Sequence, residues 1–136
     1  MEVHSKIDPE LVLHIIHRRQ DFAEQRMDLV EPDNFIQVAS LRIPQGKTFN
    51  PHKHLWQENF FNDRIAQESW IVIQGNVEAT YYDIDGTEVH KDILSAGDCS
   101  ITLEGGHNYK ALEESLVYEV KTGPYEGVEN DKENLC

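Results

Sequence analysis

The segment Gly-Lys-Thr-Phe-Asn-Pro-His-Lys-His, residues 46–54, leads from a turn into a short extended run that ends in two histidines. Side chains alternate between the two faces of a β-strand, so His52 and His54 point to the same face. Neutral imidazoles that share a face can reach one divalent cation. The segment therefore predicts a strand and, on it, one half of a metal site.

Runs rich in β-branched and apolar residues fill the chain on both sides of this segment. Turn signals separate the runs, among them Pro44-Gln45-Gly46, Gly75-Asn76 and Asp85-Gly86. The predicted strands cover residues 35–43, 48–54, 68–74, 77–83, 88–94, 99–103, 108–112 and 116–121. Such a density of short strands is typical of an all-β sandwich or barrel.

A helix is predicted ahead of the strands. The triplet Asp-Pro-Glu at residues 8–10 combines an N-cap side chain, a proline suited to the first turn and an acid near the positive end of the helix dipole. Apolar residues then recur at helical spacing between Leu11 and Phe22. We expect three regions: a helical extension over residues 1–34, a barrel over residues 35–122 and an acidic, partly mobile tail over residues 123–136.

Length and charge exclude several classes of protein. The chain has 136 residues, the size of one ordinary domain, and its 12 Lys plus Arg against 25 Asp plus Glu give a formal charge of -13. This excess repels nucleic acids and anionic membranes. No apolar run approaches the roughly 20 residues needed to span a bilayer, and the first residues lack the apolar centre of a signal peptide. We therefore expect a cytoplasmic protein with no nucleic-acid or membrane partner.

Two carboxylates compete to complete the metal site. Glu58 lies in the irregular segment 55–67, whereas Glu68 opens a predicted strand, which holds a ligand more rigidly than a loop does. Glu68 is favoured, and Glu58 stays open as a replacement or an additional ligand. His107, after the Gly105-Gly106 turn, is the fourth candidate. The sequence thus predicts one divalent metal (Zn, Fe, Ni or Mn) held by His52, His54, Glu68 and His107.

The order of these residues resembles the two motifs of the cupins. Gly46, His52-Lys53-His54, Glu68 and Gly75 resemble the first motif, with a longer insertion before the acid. Gly97-Asp98, Gly105 and His107 resemble the second, although Leu103 stands in place of its usual proline and Ala111 in place of its closing asparagine. The resemblance covers about residues 35–121 and implies a metal-holding double-stranded β-helix, or jelly-roll barrel, that is often dimeric.

Short strings extend the likeness to one group of cupins. Pro51-His52-Lys53-His54, the runs at residues 82–86 and 119–125, and Asp131-Lys132 resemble WbuC-type, RmlC-like metalloproteins, which occur among genes of surface polysaccharide synthesis. The resemblance favours a metal-dependent enzyme for a small polar or sugar-like metabolite, acting as an isomerase, epimerase or hydrolase. A non-catalytic metabolite-binding or sensing cupin, an iron-dependent dioxygenase and a metal-free structural jelly roll remain alternatives.

Residues on several predicted strands are candidates for contact with a small-molecule ligand. Aromatic side chains on strands can line a cavity, although they fill a core or an interface more often. Arg42 and Lys110 are cations that reach an anionic ligand if their strands face inward. The predicted ligand-binding residues are Arg42, Trp70, Tyr82, Tyr109 and Tyr118, with Phe49 as a further aromatic candidate.

Other polar and aromatic residues receive simpler interpretations. The histidines outside the motifs are expected to be structural or solvated: His4, His14, His17 and His90. Cys99 is expected to be a small core residue with a free thiol. Trp56, Phe60 and Phe61 lie in a segment with little local core, and together with the predicted helix they indicate a homodimer.

Overall fold

Strands account for nearly all regular structure in the computed structural model, which describes residues 1–5, 7–15, 17, 19–57, 64–123 and 127–135. The strands are β1 Glu2–His4, β2 Val12–Ile15, β3 Arg26–Asp28, β4 Ile36–Ile43, β5 His52–His54, β6 Trp56–Gln57, β7 Arg64–Ile65, β8 Glu68–Gln74, β9 Asn76–Tyr82, β10 Glu88–Ser95, β11 Cys99–Thr102, β12 Gly106–Ala111, β13 Ser115–Thr122 and β14 Lys132–Asn134. A 3₁₀ turn at Arg19–Asp21 and the helix α1 at Val128–Asp131 complete the regular structure of these residues.

The barrel consists of two antiparallel sheets, each with five strands in the part of the chain described. One sheet has the strand order β10-β9-β12-β5-β14, and the other has β11-β8-β13-β4-β3. From β8 to β13 the chain passes back and forth between the sheets, as in a jelly roll. The predicted all-β fold is confirmed, and β8 covers the predicted residues 68–74.

The alternation of side chains divides the barrel interior into an apolar and a polar end. Along β8 the inward positions run from Glu68 through Trp70 to Val72, and along β12 they run from His107 to Tyr109. The rings of Trp70 and Tyr109 stack with their centroids 3.9 Å apart. The buried core cluster consists of Ala39, Leu41, Ile43, Trp70, Val72, Val77, Ala79, Tyr109, Ala111 and Val117. Inward positions beyond this core carry acids and imidazoles.

The turn between β8 and β9 is tightly packed against β13. Gly75 has a φ of +92°, a conformation that side chains disfavour. A Cβ atom at this position would lie 2.3 Å from Oγ of Ser115 and 2.7 Å from the carbonyl oxygen of Glu114. Glycine is therefore needed here for two separate reasons, its backbone freedom and its lack of a side chain.

The predicted N-terminal helix is wrong. β1 and β2 pair as an antiparallel hairpin, and residues 8–10 lie in its turn. The amide of Glu10 donates to Oδ1 of Asp8 over 3.2 Å, and the amide of Leu11 donates to the carbonyl oxygen of Asp8 over 3.0 Å. An aspartate followed by proline starts a turn as well as a helix, because both use the same side-chain acceptor and the same fixed φ.

Two short strands extend the sheets outside the predicted barrel range 35–122. β3 pairs with β4, and β14 pairs with β5. Backbone hydrogen bonds tie down both ends of the β14 segment, from Leu55 to Asp131 over 2.6 Å and from Leu135 to Pro51 over 2.9 Å. β14, Lys132–Asn134, thus belongs to the sheet that contains β5 and is not a mobile tail, contrary to expectation. Its polar sequence carries no apolar alternation that predicts a strand.

Two smaller expectations also change. Cys99 is a free but exposed residue, since Ser100 and Thr102 take the inward positions of β11. Near the two ends of the segment 55–67, the short strands β6 and β7 pair with each other. Residues 58–63, including Glu58, Phe60 and Phe61, lie outside the described residues, as does Cys136. None of the described helices has the length and apolar character needed to cross a bilayer.

Candidate metal centre

The four predicted ligands converge at the polar end of the barrel. His52 and His54 come from β5, Glu68 is the first residue of β8, and His107 follows the first residue of β12. One potential ligand atom from each lies within 4.8 Å of the other three. His107 is 1% exposed, and His54 and Glu68 are also buried. Side chains that are up to 55 residues apart in sequence thus share one centre.

Hydrogen bonds orient His52 and His107 toward this centre. Nδ1 of His52 lies 2.9 Å from the carbonyl oxygen of Asn50, which can only accept, so this nitrogen carries the proton. Nδ1 of His107 lies 2.7 Å from Oγ1 of Thr102. The two Nε2 atoms then face each other at 3.3 Å. Burial lowers the pKa of both residues, to about 4 for His107, so both imidazoles are neutral at pH 7.

His54 is held between two carboxylates. Its Nδ1 lies 3.1 Å from Oδ1 of Asp131, and its Nε2 lies 2.9 Å from Oε2 of Glu68. Nζ of Lys121 donates to the other oxygen of Asp131 over 3.2 Å. Burial lowers the pKa of His54, but the hydrogen bonds to Asp131 and Glu68 outweigh it and raise the pKa to about 9. A carboxylate behind a ligating histidine fixes the ring and increases its basicity.

Glu68 is ionised in spite of its burial. Burial raises its pKa, but the hydrogen bond from His54 and the positive charge of that protonated ring hold the pKa well below the usual range. Nε1 of Trp70 donates to Oε1 of Glu68 over 2.8 Å, and this oxygen lies 3.6 Å from Nε2 of His107. The carboxylate is therefore fixed in place with its charge directed at the imidazoles.

This donor set fits a divalent cation. Three imidazole nitrogens and a carboxylate suit Zn, Fe, Ni or Mn. A cation between His52 and His107 would also satisfy the nitrogen lone pair that His52 directs at its neighbour. Buried, oriented and partly negative, these side chains could bind a metal.

Metal binding at neutral pH should release protons. With a pKa of about 9, His54 is protonated at pH 7 in the metal-free protein and must lose its Nε2 proton to become a ligand. We expect about one proton released per ion, and an affinity that rises about tenfold per pH unit up to pH 9 and then levels off. Calorimetry in buffers of different ionisation enthalpy measures the release. Binding without proton release would contradict the protonated state of His54.

Asp131 should strengthen metal binding without touching the metal. Asp131→Asn keeps an acceptor for Nδ1 of His54 but removes the charge, so the affinity should fall by about 10–100-fold. Competition with a chromophoric chelator measures this change. Asp92→Asn is the matched control, because Asp92 is exposed on β10. Equal affinities of the Asp131 and Asp92 variants would show that the charge of Asp131 is irrelevant.

A cavity of about 560 Å³, here called the central cavity, opens beside the metal centre. This volume suits a small metabolite. The cavity is lined by stacked aromatic rings, by charged side chains and by side-chain amides. The lining residues include Arg26, Asp28, Glu31, Gln37, Phe49, His52, Glu68, Trp70, Asn108, Tyr109, Glu119, Lys121 and Lys132.

The predicted ligand-binding residues separate into two groups. Trp70 and Tyr109 line the central cavity, as does Phe49. Tyr82 lies on the outer side of β9, opposite Gly106. Arg42 is also on an outer face, where it binds Glu114 over 2.9 Å. The two groups differ because side chains alternate between the inner and outer faces of a strand. The sequence did not determine which residues of these strands face inward.

Tyr118 and the remaining histidines lie away from the centre. Oη of Tyr118 lies 2.8 Å from Nδ1 of His17, and its ring packs against Phe22. Tyr118 therefore belongs to a cluster outside the barrel. His4 and His90 are exposed, and the side chain of His14 is not among those described.

Sequence reasoning missed Asp131, Lys132 and Lys121 as residues of the centre. The string Asp131-Lys132 resembles WbuC-type proteins, but no periodicity in it predicts a strand. Thr102, the partner of His107, was also missed. Short polar strands at a sheet edge lack the hydrophobic signal that would have indicated them.

No protein-family profile and no curated protein matches the chain. Solved structures match it in fold. An uncharacterized protein with a double-stranded β-helix domain from Klebsiella pneumoniae has a TM-score of 0.65 and 15% identity, and 98% of each chain is covered. KdgF from Halomonas sp. has a TM-score of 0.56 and 24% identity over 74% of this chain and 80% of that one.

A longer protein matches through part of its length. Oxalate decarboxylase from Bacillus subtilis has a TM-score of 0.58 and 19% identity over 84% of this chain, which spans 29% of that protein. At these identities the likenesses establish the fold. The chain is a double-stranded β-helix, the fold that the cupin resemblance implies.

Proposed function

We propose that this protein is a metal-binding cupin that isomerises, epimerises or hydrolyses a small polar, sugar-like metabolite. The observation that carries the proposal is the convergence of the metal centre on the central cavity. His52 and Glu68 belong to both, so a ligand in the cavity lies against the metal ligands. The placement in surface polysaccharide synthesis rests on the WbuC-type resemblance alone, and the proposed cytoplasmic location rests on the apolar runs of the sequence.

The chain's own side chains suit such a ligand. The ring of Phe49 is only partly buried and offers an apolar surface on which the carbon-bearing face of a sugar ring can pack, beside the stacked rings of Trp70 and Tyr109. Gln37 and Asn108 offer amide oxygens as acceptors for hydroxyl groups, since their amide nitrogens already donate to the carbonyl oxygen of Asn34 and to Oγ1 of Thr48. A bound divalent ion supplies Lewis-acid polarisation of a carbonyl or hydroxyl oxygen. The protein residues bind and orient the ligand and exclude water from the reacting atoms.

The proposal is tested by metal content and turnover together. Protein purified without a metal-affinity tag is analysed for bound metals, loaded with each candidate ion and incubated with sugars and nucleotide sugars, with NMR as the readout. Turnover that depends on metal and is lost in His52→Ala supports the enzyme. Binding without turnover supports a sensing protein, and oxygen consumption with iron supports a dioxygenase. Equal metal content in wild type and a His52/His54 double variant rejects a metal function.

We also propose a homodimer. Phe35 and Ile101 are 70% and 64% exposed and lie beside Val120 along one groove of the sheet that contains β8. Light scattering at micromolar concentration should give twice the mass of one chain. Phe35→Glu with Ile101→Glu should reduce it to one chain, whereas Ile84→Glu, in an exposed turn, should not. A monomeric wild type contradicts the proposal.

A further inference from the structure

The cations that line the central cavity differ in their partners. Arg26 binds Glu119 over 2.8 Å and Asp28 over 2.9 Å, and Lys121 binds Asp131 over 3.2 Å. The ammonium group of Lys132 forms no ion pair with the described residues. A half-buried charge that lacks a partner is costly unless a ligand or solvent neutralises it.

Strand pairing places Lys132 at the metal centre. β14 pairs antiparallel with β5, and Lys132 lies directly opposite His54. Directly opposed residues project to the same face of a sheet, and His54 projects into the barrel. Lys132 accordingly lines the central cavity together with His52 and Glu68. Its charge also lowers the pKa of His52 and His107, in addition to the effect of burial.

The charges around the centre favour an anion. A divalent ion with Glu68 and three neutral imidazoles leaves one positive charge, and Lys132 adds a second. Lys121 adds none, since Asp131 neutralises it. Elsewhere in the cavity Asp28, Glu31 and Glu119 outnumber Arg26, so the positive charge is confined to the wall formed by the metal centre and Lys132. A ligand with hydroxyl groups alone would leave the charge of Lys132 unpaired.

We propose that Lys132 binds an anionic group, a carboxylate or a phosphate, of the metal-bound ligand. The substrate class is then an acidic or phosphorylated small molecule. This inference rests on the proposed metal function and makes its substrate more specific. Lys132 acts as a specificity-determining residue.

The test compares charged and neutral probes on cobalt-loaded protein. Lactate and 1,2-propanediol share a hydroxyl-bearing carbon but differ in the carboxylate, and inorganic phosphate represents the other anion. Binding is followed by the cobalt absorption spectrum at low ionic strength. The variants are Lys132→Met and Lys132→Arg, and Lys110→Met is the control, because Lys110 is exposed on the outer side of β12.

We expect Lys132→Met to reduce the affinity for lactate or phosphate at least tenfold. Cobalt stoichiometry and propanediol binding should stay unchanged. Lys132→Arg should retain most of the affinity, and Lys110→Met all of it. The probe whose affinity falls more in Lys132→Met, lactate or phosphate, identifies the anionic group. Equal anion binding by wild type and Lys132→Met overturns the proposal. Failure of the wild-type protein to take up cobalt rejects the metal function instead. In that case, titration of the metal-free protein with lactate or phosphate, followed by NMR, compares wild type with Lys132→Met and tests the role of Lys132.

Discussion

Alanine in place of His52 or His54 should abolish tight metal binding, but only His54→Ala should also weaken the fold. Structural zinc sites bind with about 10–16 kcal/mol shared among four ligands, so loss of one ligand should cost about a hundredfold to a thousandfold in affinity. His54 additionally separates the carboxylates of Glu68 and Asp131. Its removal leaves the buried charge of Glu68 without its partner, whereas Asp131 keeps Lys121, at a cost of about 3–5 kcal/mol in the free energy of unfolding.

Elemental analysis and urea unfolding of metal-free protein separate the two effects. His52→Ala should lose the metal and keep most of its stability, because its Nδ1 partner is the neutral carbonyl oxygen of Asn50. His90→Ala should change neither quantity, since His90 is exposed. A His52→Ala protein with wild-type metal content would remove this residue from the ligand set.

Alanine in place of Gly75 should cost more stability than alanine in place of Gly97. Both glycines have nearly the same φ, +92° and +93°. A Cβ at Gly97 meets no atom within 4 Å, whereas at Gly75 it lies 2.3 Å from Oγ of Ser115. The backbone conformation should therefore cost about 1–2 kcal/mol in each variant. The collision with β13 should add about 1–3 kcal/mol to Gly75→Ala alone.

Chemical unfolding at one pH, with both variants metal-free, measures this difference. Because the backbone cost is matched, the gap between the two variants isolates the contact between the β8–β9 turn and β13. Equal losses of stability would mean that β13 moves away at little cost. The turn would then not fix the relative position of the two sheets.

The sequence predicted those features that depend on strand alternation. The common face of His52 and His54 follows from a strict period of two, and the bounds of β8 follow from its apolar run between turn signals. The position of Glu68 on a predicted strand favours it over Glu58, because strands hold ligands rigidly. These arguments needed no knowledge of distant parts of the chain.

Features that depend on tertiary context were not predictable in the same way. The Asp-Pro-Glu triplet at residues 8–10 suits a helix start or a turn, and the pairing of β1 with β2 decides for the turn. Arg42 faces outward because β4 places Leu41 inward, a parity that the apolar run left open. Asp131 binds a histidine 77 residues earlier, and nothing in its local sequence indicates that partner.

The link from Asp131 to His54 also sets the order of events during protein synthesis. The ribosome completes β5, β8 and β12 before it reaches Asp131, so a nascent barrel can form while His54 still lacks its outer carboxylate. We expect the centre to reach its full metal affinity only when the β14 segment docks. Occupancy of the centre would report that this last piece of the barrel is in position.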